Sequence, residues 1–92
     1  MINSIDFEYF KSSDKLSVIF TWDHRNSLND YILMSTKVKH YNLYEFDDLS
    51  ADLYNKIISD FDIEYSERIC ILISRNIEEL EKTRDGEVDA KR

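Results

Sequence analysis

The chain has 92 residues with 19 Asp and Glu against 12 Lys and Arg, a formal charge of −7, and a 42% apolar, 13% aromatic content that suffices for one compact core. A single cysteine, Cys70, excludes an internal disulfide framework and a cysteine-cluster metal site. One glycine and no proline leave no G-x-G-x-x-G turn or P-loop, and the carboxylate excess has the wrong sign for gripping nucleic-acid phosphates or anionic membranes.

In chain order, Ile5, Phe7 and Tyr9 alternate with Asp6 and Glu8, the period-two pattern of a half-buried strand. Ser12 to Lys15 supplies a polar turn. Leu16, Val18, Phe20 and Trp22 then share one face, opposite Ser17, Thr21 and Asp23, which predicts an antiparallel hairpin. Residues 23–30 are polar and predict a loop. Residues 31–46 carry two patterns. Ile32, Thr36, Val38, Tyr41 and Tyr44 favour one or two strands. Ser27 with Asp30 resembles a capping box, and Tyr31, Met34, Val38 and Tyr41 also fit a helical stripe. Strands are the preferred reading, because an isolated hairpin is marginal in water.

The C-terminal half predicts two helices. Ser50 can cap the first, whose core stripe is Leu53, Ile57, Ile58 and Phe61. The second begins near residues 62–66 and carries Tyr65, Ile69, Leu72, Ile73, Ile77 and Leu80 at the same spacing, with Gly86 as a natural stop. The expected fold is α+β: a small antiparallel sheet of three to four strands in the N-terminal half, packed by two C-terminal helices. Residues 1–86 form a single domain, and 87–92 read as a frayed tail. The longest uninterrupted apolar run, Ile69 to Ile73, is far too short for a bilayer span, and Met1 to Asp6 has no signal-peptide character. A soluble protein of a reducing compartment is expected.

The charge is unevenly placed. Residues 1–44 and 68–92 are each balanced. Glu45, Asp47, Asp48, Asp52, Asp60, Asp62, Glu64 and Glu67 face only Lys56, so the whole excess lies in 23 residues. Clustering like charge costs self-repulsion. The bland alternative is a solvated face, or acids that compensate two helix dipoles; dipole compensation would account for two or three of these carboxylates. Asp48 and Asp52 stand one helical turn apart, and Asp60, Asp62, Glu64 and Glu67 gather at the connection between the helices, so the acids are expected along one edge.

Other chemistry is thinly supported. His24 and His40 lack the third ligand a metal needs. Cys70, within an apolar run, reads as a small buried hydrophobe rather than a nucleophile. Asp47-Asp48 or the Asp60/Asp62/Glu64 group would serve general acid–base catalysis only in a dry pocket that splits their pKa values. The Asp60-x-Asp62-x-Glu64 alternation lacks the central glycine and distal Glu of a calcium loop. No cofactor, metal or catalytic residue is assigned. Tyr41, Tyr44 and Tyr54, if exposed, would serve as contact anchors.

A rigid row of carboxylates can stand in for phosphates in a cationic groove. The length, the opening Met1-Ile2-Asn3-Ser4-Ile5-Asp6-Phe7-Glu8-Tyr9-Phe10, the proline-free Asn/Ile/Lys/Tyr/Asp-rich composition and the acidic block at 45–67 together resemble the Arn family of T4-type phage anti-restriction proteins. That resemblance implies a non-enzymatic DNA mimic acting in the host cytoplasm. Its partners would be a McrBC-type restriction nuclease and histone-like nucleoid proteins, without direct binding to nucleic acid or membrane, and a homodimer would lengthen the charged track. It implies protection of phage DNA whose hydroxymethylcytosines are not glucosylated. The alternative is an acidic immunity-type protein with one cognate basic nuclease toxin. A third reading is an assembly subunit that binds through its aromatics.

Overall fold

The computed structural model describes residues 3–25, 32–63 and 67–86. Three strands, β1 (Asn3–Phe10), β2 (Lys15–Arg25) and β3 (Ile32–Asn42), form an antiparallel sheet in the order β1-β2-β3. A 3-10 turn (Leu43–Glu45), a wide π-type turn (Leu49–Leu53), helix α1 (Tyr54–Asp60) and helix α2 (Glu67–Gly86) follow. The molecule is elongated, 56 × 23 × 21 Å.

Alternation decides which face of the sheet is covered. Across the ladder, Ile5 opposes Phe20, Phe7 opposes Val18, and Tyr9 opposes Leu16, which itself opposes Tyr41. These side chains point toward the helices, where Leu16, Val18, Leu43, Leu53, Ile57 and Ile73 are sealed from solvent. On α2 the inward positions are Ile69, Ile73, Ile77 and Leu80, the four-four-three spacing of a helical stripe. Each such side chain contributes about 1.5–3 kcal/mol by leaving water.

Residues 31–46 resolve the two-pattern segment in favour of one strand, β3, followed by the 3-10 turn; Tyr31 lies outside the described residues. Of the residues 23–30 expected as a loop, 23–25 are strand, and 26–30 lie outside the described residues. Asp23, His24 and Arg25 continue β2 because Met34, Leu33 and Ile32 of β3 offer them a ladder partner. The β1–β2 turn lies where expected, and Asp14 adopts a left-handed conformation there (φ 53°), which Asp tolerates better than most residues.

The start of the first helical segment differs from expectation. Asp48, not Ser50, is the cap: its carboxylate accepts from the Ser50 amide at 3.1 Å and from the Ser50 hydroxyl at 2.8 Å. Asp52 completes the arrangement by accepting from the Asp48 amide at 3.3 Å. An acid two residues upstream reaches the orphan amide and turns Ser50 into a donor.

Asp62 closes α1. It sits at φ 50°, its amide donates to the Ser59 carbonyl at 3.2 Å, and the Ile63 amide donates to the Ile58 carbonyl at 3.2 Å. This is the Schellman arrangement with an aspartate where glycine is usual. Lys37 on β3 adds a second closure, donating to the Asp60 carbonyl at 2.8 Å while its ammonium lies 5.6 Å from the Phe61 ring centre.

Candidate functional site

The acidic segment follows β3 directly and runs through both turns and α1 into the first turn of α2. Glu45, Asp47, Asp62 and Glu67 are exposed and make no ion pair or side-chain hydrogen bond among the described residues. Asp48 and Asp52 are exposed as well, yet both carboxylates are spent on the helix start. Glu64 lies outside the described residues.

Asp60 differs from the rest. Its side chain is only 18% exposed and meets the Lys56 ammonium at 3.1 Å and the Tyr41 hydroxyl at 3.0 Å. Burial disfavours its charge, but hydrogen bonds from Lys56 and Tyr41 and the charges of Lys56 and Lys39 outweigh that, so its carboxyl titrates below the ordinary range. The same contact, added to burial, pushes the Tyr41 hydroxyl far above the ordinary tyrosine range. Asp60 is thus a structural carboxylate, paired with Lys56 of α1 and bonded to Tyr41 of β3. Among the described residues, the segment supplies four unengaged charges, two engaged but solvent-facing ones, and one internal pair.

Tyr41 was expected as a contact anchor if exposed; it is buried, because its ring lies on the helix-facing side of β3. Tyr44 is exposed at 66%, and Tyr54 is half-buried. Cys70 is not sealed in the core. It is partly exposed and lines a groove between α1 and α2. That groove was not foreseen, since it depends on how the two helices splay.

A polar pair also escaped the sequence reading. On the sheet face away from the helices, the Ser17 hydroxyl and His40 Nδ1 are 2.7 Å apart, with Glu8 opposite Ser17 on the other side. Only the strand register brings residues 17 and 40 together. A Ser–His contact can serve acyl transfer, but the amides around Ser17 are engaged in the β2 ladders and leave no oxyanion donor, so the arrangement reads as a cross-strand polar contact. Among the described residues, no three His, Cys, Asp or Glu side chains converge to hold a metal, and no helix is long and apolar enough to cross a membrane.

No protein-family model, curated protein or solved structure matches the chain.

Proposed function

We propose that the protein is a non-enzymatic, Arn-like DNA mimic that occupies the DNA-binding surface of a host restriction nuclease of the McrBC type, and of histone-like nucleoid proteins. One observation carries this reading: Glu45, Asp47, Asp62 and Glu67 are exposed and have no counter-charge among the described residues, in a stretch whose one base, Lys56, is paired with Asp60. A protein that needed these acids only for its own fold would pair or cap with them, as Asp48, Asp52 and Asp60 do. Held on turns and helix ends bonded to the core, the free carboxylates present fixed negative charge to a cationic cleft with little ordering cost. The elongated body suits a groove that normally holds a rod.

The test is competition. The protein should inhibit cleavage of methylated duplex by a purified McrBC-type nuclease without being consumed. The combined substitution Glu45→Gln, Asp47→Asn, Asp62→Asn, Glu67→Gln should weaken inhibition at least tenfold while far-UV circular dichroism stays unchanged. Inhibition should also weaken at least tenfold between about 50 and 200 mM salt. A flat salt response, or undiminished inhibition by the neutralised variant, would sink the reading.

A further inference from the structure

The trench between α1 and α2 is a second surface, separate in character from the acidic turns. It has a volume of about 690 Å³, is open to solvent, and its apolar lining is Tyr54, Ile58, Ile63, Cys70 and Ile71. Ile71 is 44% exposed. Around it Tyr54, Ile58, Ile63 and Cys70 are half-buried, so a concave apolar strip faces water, a shape suited to contact. An enclosed pocket would suit a small molecule, most of whose area must be covered. An open trench beside a helix covers only one side of its occupant, which suits a rod.

Charge narrows the occupant. Glu67 and Glu78 stand at the two ends of the trench, eleven residues apart on α2, or about 16 Å of axial rise. Both are exposed and unpaired among the described residues. Arg75 lines the same trench one turn before Glu78 and eight residues after Glu67. A second copy of this chain would bring the same two carboxylates against both ends, which disfavours self-docking. A helix of about three turns with an apolar stripe and a cation at each end meets these features, and an acid one turn inside the cation that faces Glu78 would answer Arg75.

We infer that the α1–α2 trench is a docking site for a short amphipathic helix of a partner protein, apolar at i, i+3, i+4 and i+7 and carrying Lys or Arg at both ends. The apolar lining supplies affinity and the terminal carboxylates supply polarity and register. This surface does not depend on the mimicry reading: of the free acids assigned to the duplex-like row, only Glu67 belongs to it.

The probe is a synthetic helical peptide of about 14 residues with a leucine stripe and terminal lysines, compared with a scrambled isomer and a version with glutamates at the ends. Binding is followed by peptide fluorescence anisotropy and by the rate at which Ellman's reagent modifies Cys70 in the trench lining. The lysine peptide should bind with a micromolar Kd and slow Cys70 modification at least tenfold, while both controls bind at least tenfold more weakly. Ile71→Glu and, separately, the Glu67→Lys/Glu78→Lys pair should each lose tenfold or more, with thermal unfolding confirming that they fold. Glu45→Gln, Asp47→Asn and Asp62→Asn should leave peptide binding unchanged, which separates this site from the one competing with duplex. Equal binding by the scrambled isomer, an unaffected Ile71→Glu variant, or Cys70 protection by self-association at micromolar protein would each overturn the inference.

Discussion

Arg84 near the end of α2 donates to the Asp14 carboxylate at 2.7 Å, joining residues seventy positions apart. Asp14 is a junction. Its carboxylate also accepts from the Tyr9 hydroxyl at 2.8 Å, its carbonyl accepts from the Leu43 amide at 3.0 Å, and its backbone makes the left-handed step of the first turn. One residue therefore ties the β1–β2 turn to both the chain leaving β3 and the end of the long helix. Arg84→Met should cost about 1 kcal/mol, because the pair is partly solvent-screened. Chemical denaturation would read this directly, and a melting shift of about 4–8 °C is expected for a domain this size. Asp14→Ala should cost more than Asp14→Asn, since asparagine keeps one acceptor oxygen whereas alanine keeps none and also resists positive φ.

Acid should destabilise the fold through two aspartates. Burial raises the Asp14 carboxyl, but hydrogen bonds from Tyr9 and Arg84 and the charges of Arg84 and Lys11 bring it below its ordinary value, as the partners of Asp60 do there. A carboxyl with a lower pKa folded than unfolded contributes stability above its unfolded value, about 3.9, and loses it as pH falls through the folded value. Stability should therefore be level down to about pH 5 and decline below pH 4, with Asp14→Asn and Asp60→Asn each flattening that decline. Tyr41 has the opposite sign: its raised hydroxyl pKa favours the neutral form when folded, so stability should fall as pH rises past about 10. Unfolding curves between pH 2 and 11 would check both limbs.

Asp62→Gly should stabilise the protein. The φ of 50° at Asp62 is a conformation glycine enters without a Cβ penalty, and the Schellman bonds around it involve backbone only. Glycine is also more flexible when unfolded, which offsets part of the gain, so a net of about 0.5 kcal/mol is expected. A higher denaturation midpoint at unchanged slope would confirm it; a lower one would mean that the Asp62 carboxylate has a structural task.

The sheet and the helices were legible in the sequence because their periods differ and persist: two at Ile5–Tyr9 and Leu16–Trp22, near 3.6 at Ile69–Leu80. Segment 32–42 was ambiguous because its β-branched and aromatic residues fit both periods, and pairing with β2 decided it. Polarity misplaced the end of β2, since ladder partners matter more there than side-chain hydropathy. The acidic segment was visible as composition, but which acids are free was not. Whether a carboxylate caps a turn like Asp48, pairs like Asp60 or stays unengaged like Asp47 depends on contacts of a few ångströms. The groove over Cys70 and the Ser17–His40 pair depend on tertiary geometry alone.

Neighbouring aspartates 47 and 48 should separate folding from recognition. Asp48 caps the helical segment through two bonds to Ser50, whereas Asp47 is exposed and makes no ion pair or side-chain hydrogen bond among the described residues. Asp48→Ala should cost about 1 kcal/mol, the usual effect of deleting an N-cap. Asp47→Asn should change stability by less than about 0.5 kcal/mol, as for a surface substitution away from structural contacts. In competition with duplex for a cationic target the order should reverse. Asp47→Asn removes a free charge and should weaken inhibition several-fold. Asp48→Asn keeps capping ability and removes a charge already shared with two donors, so its effect should be smaller. Equal loss from both asparagine variants would mean that net charge alone governs binding, and the fixed positions of the free carboxylates would have no role.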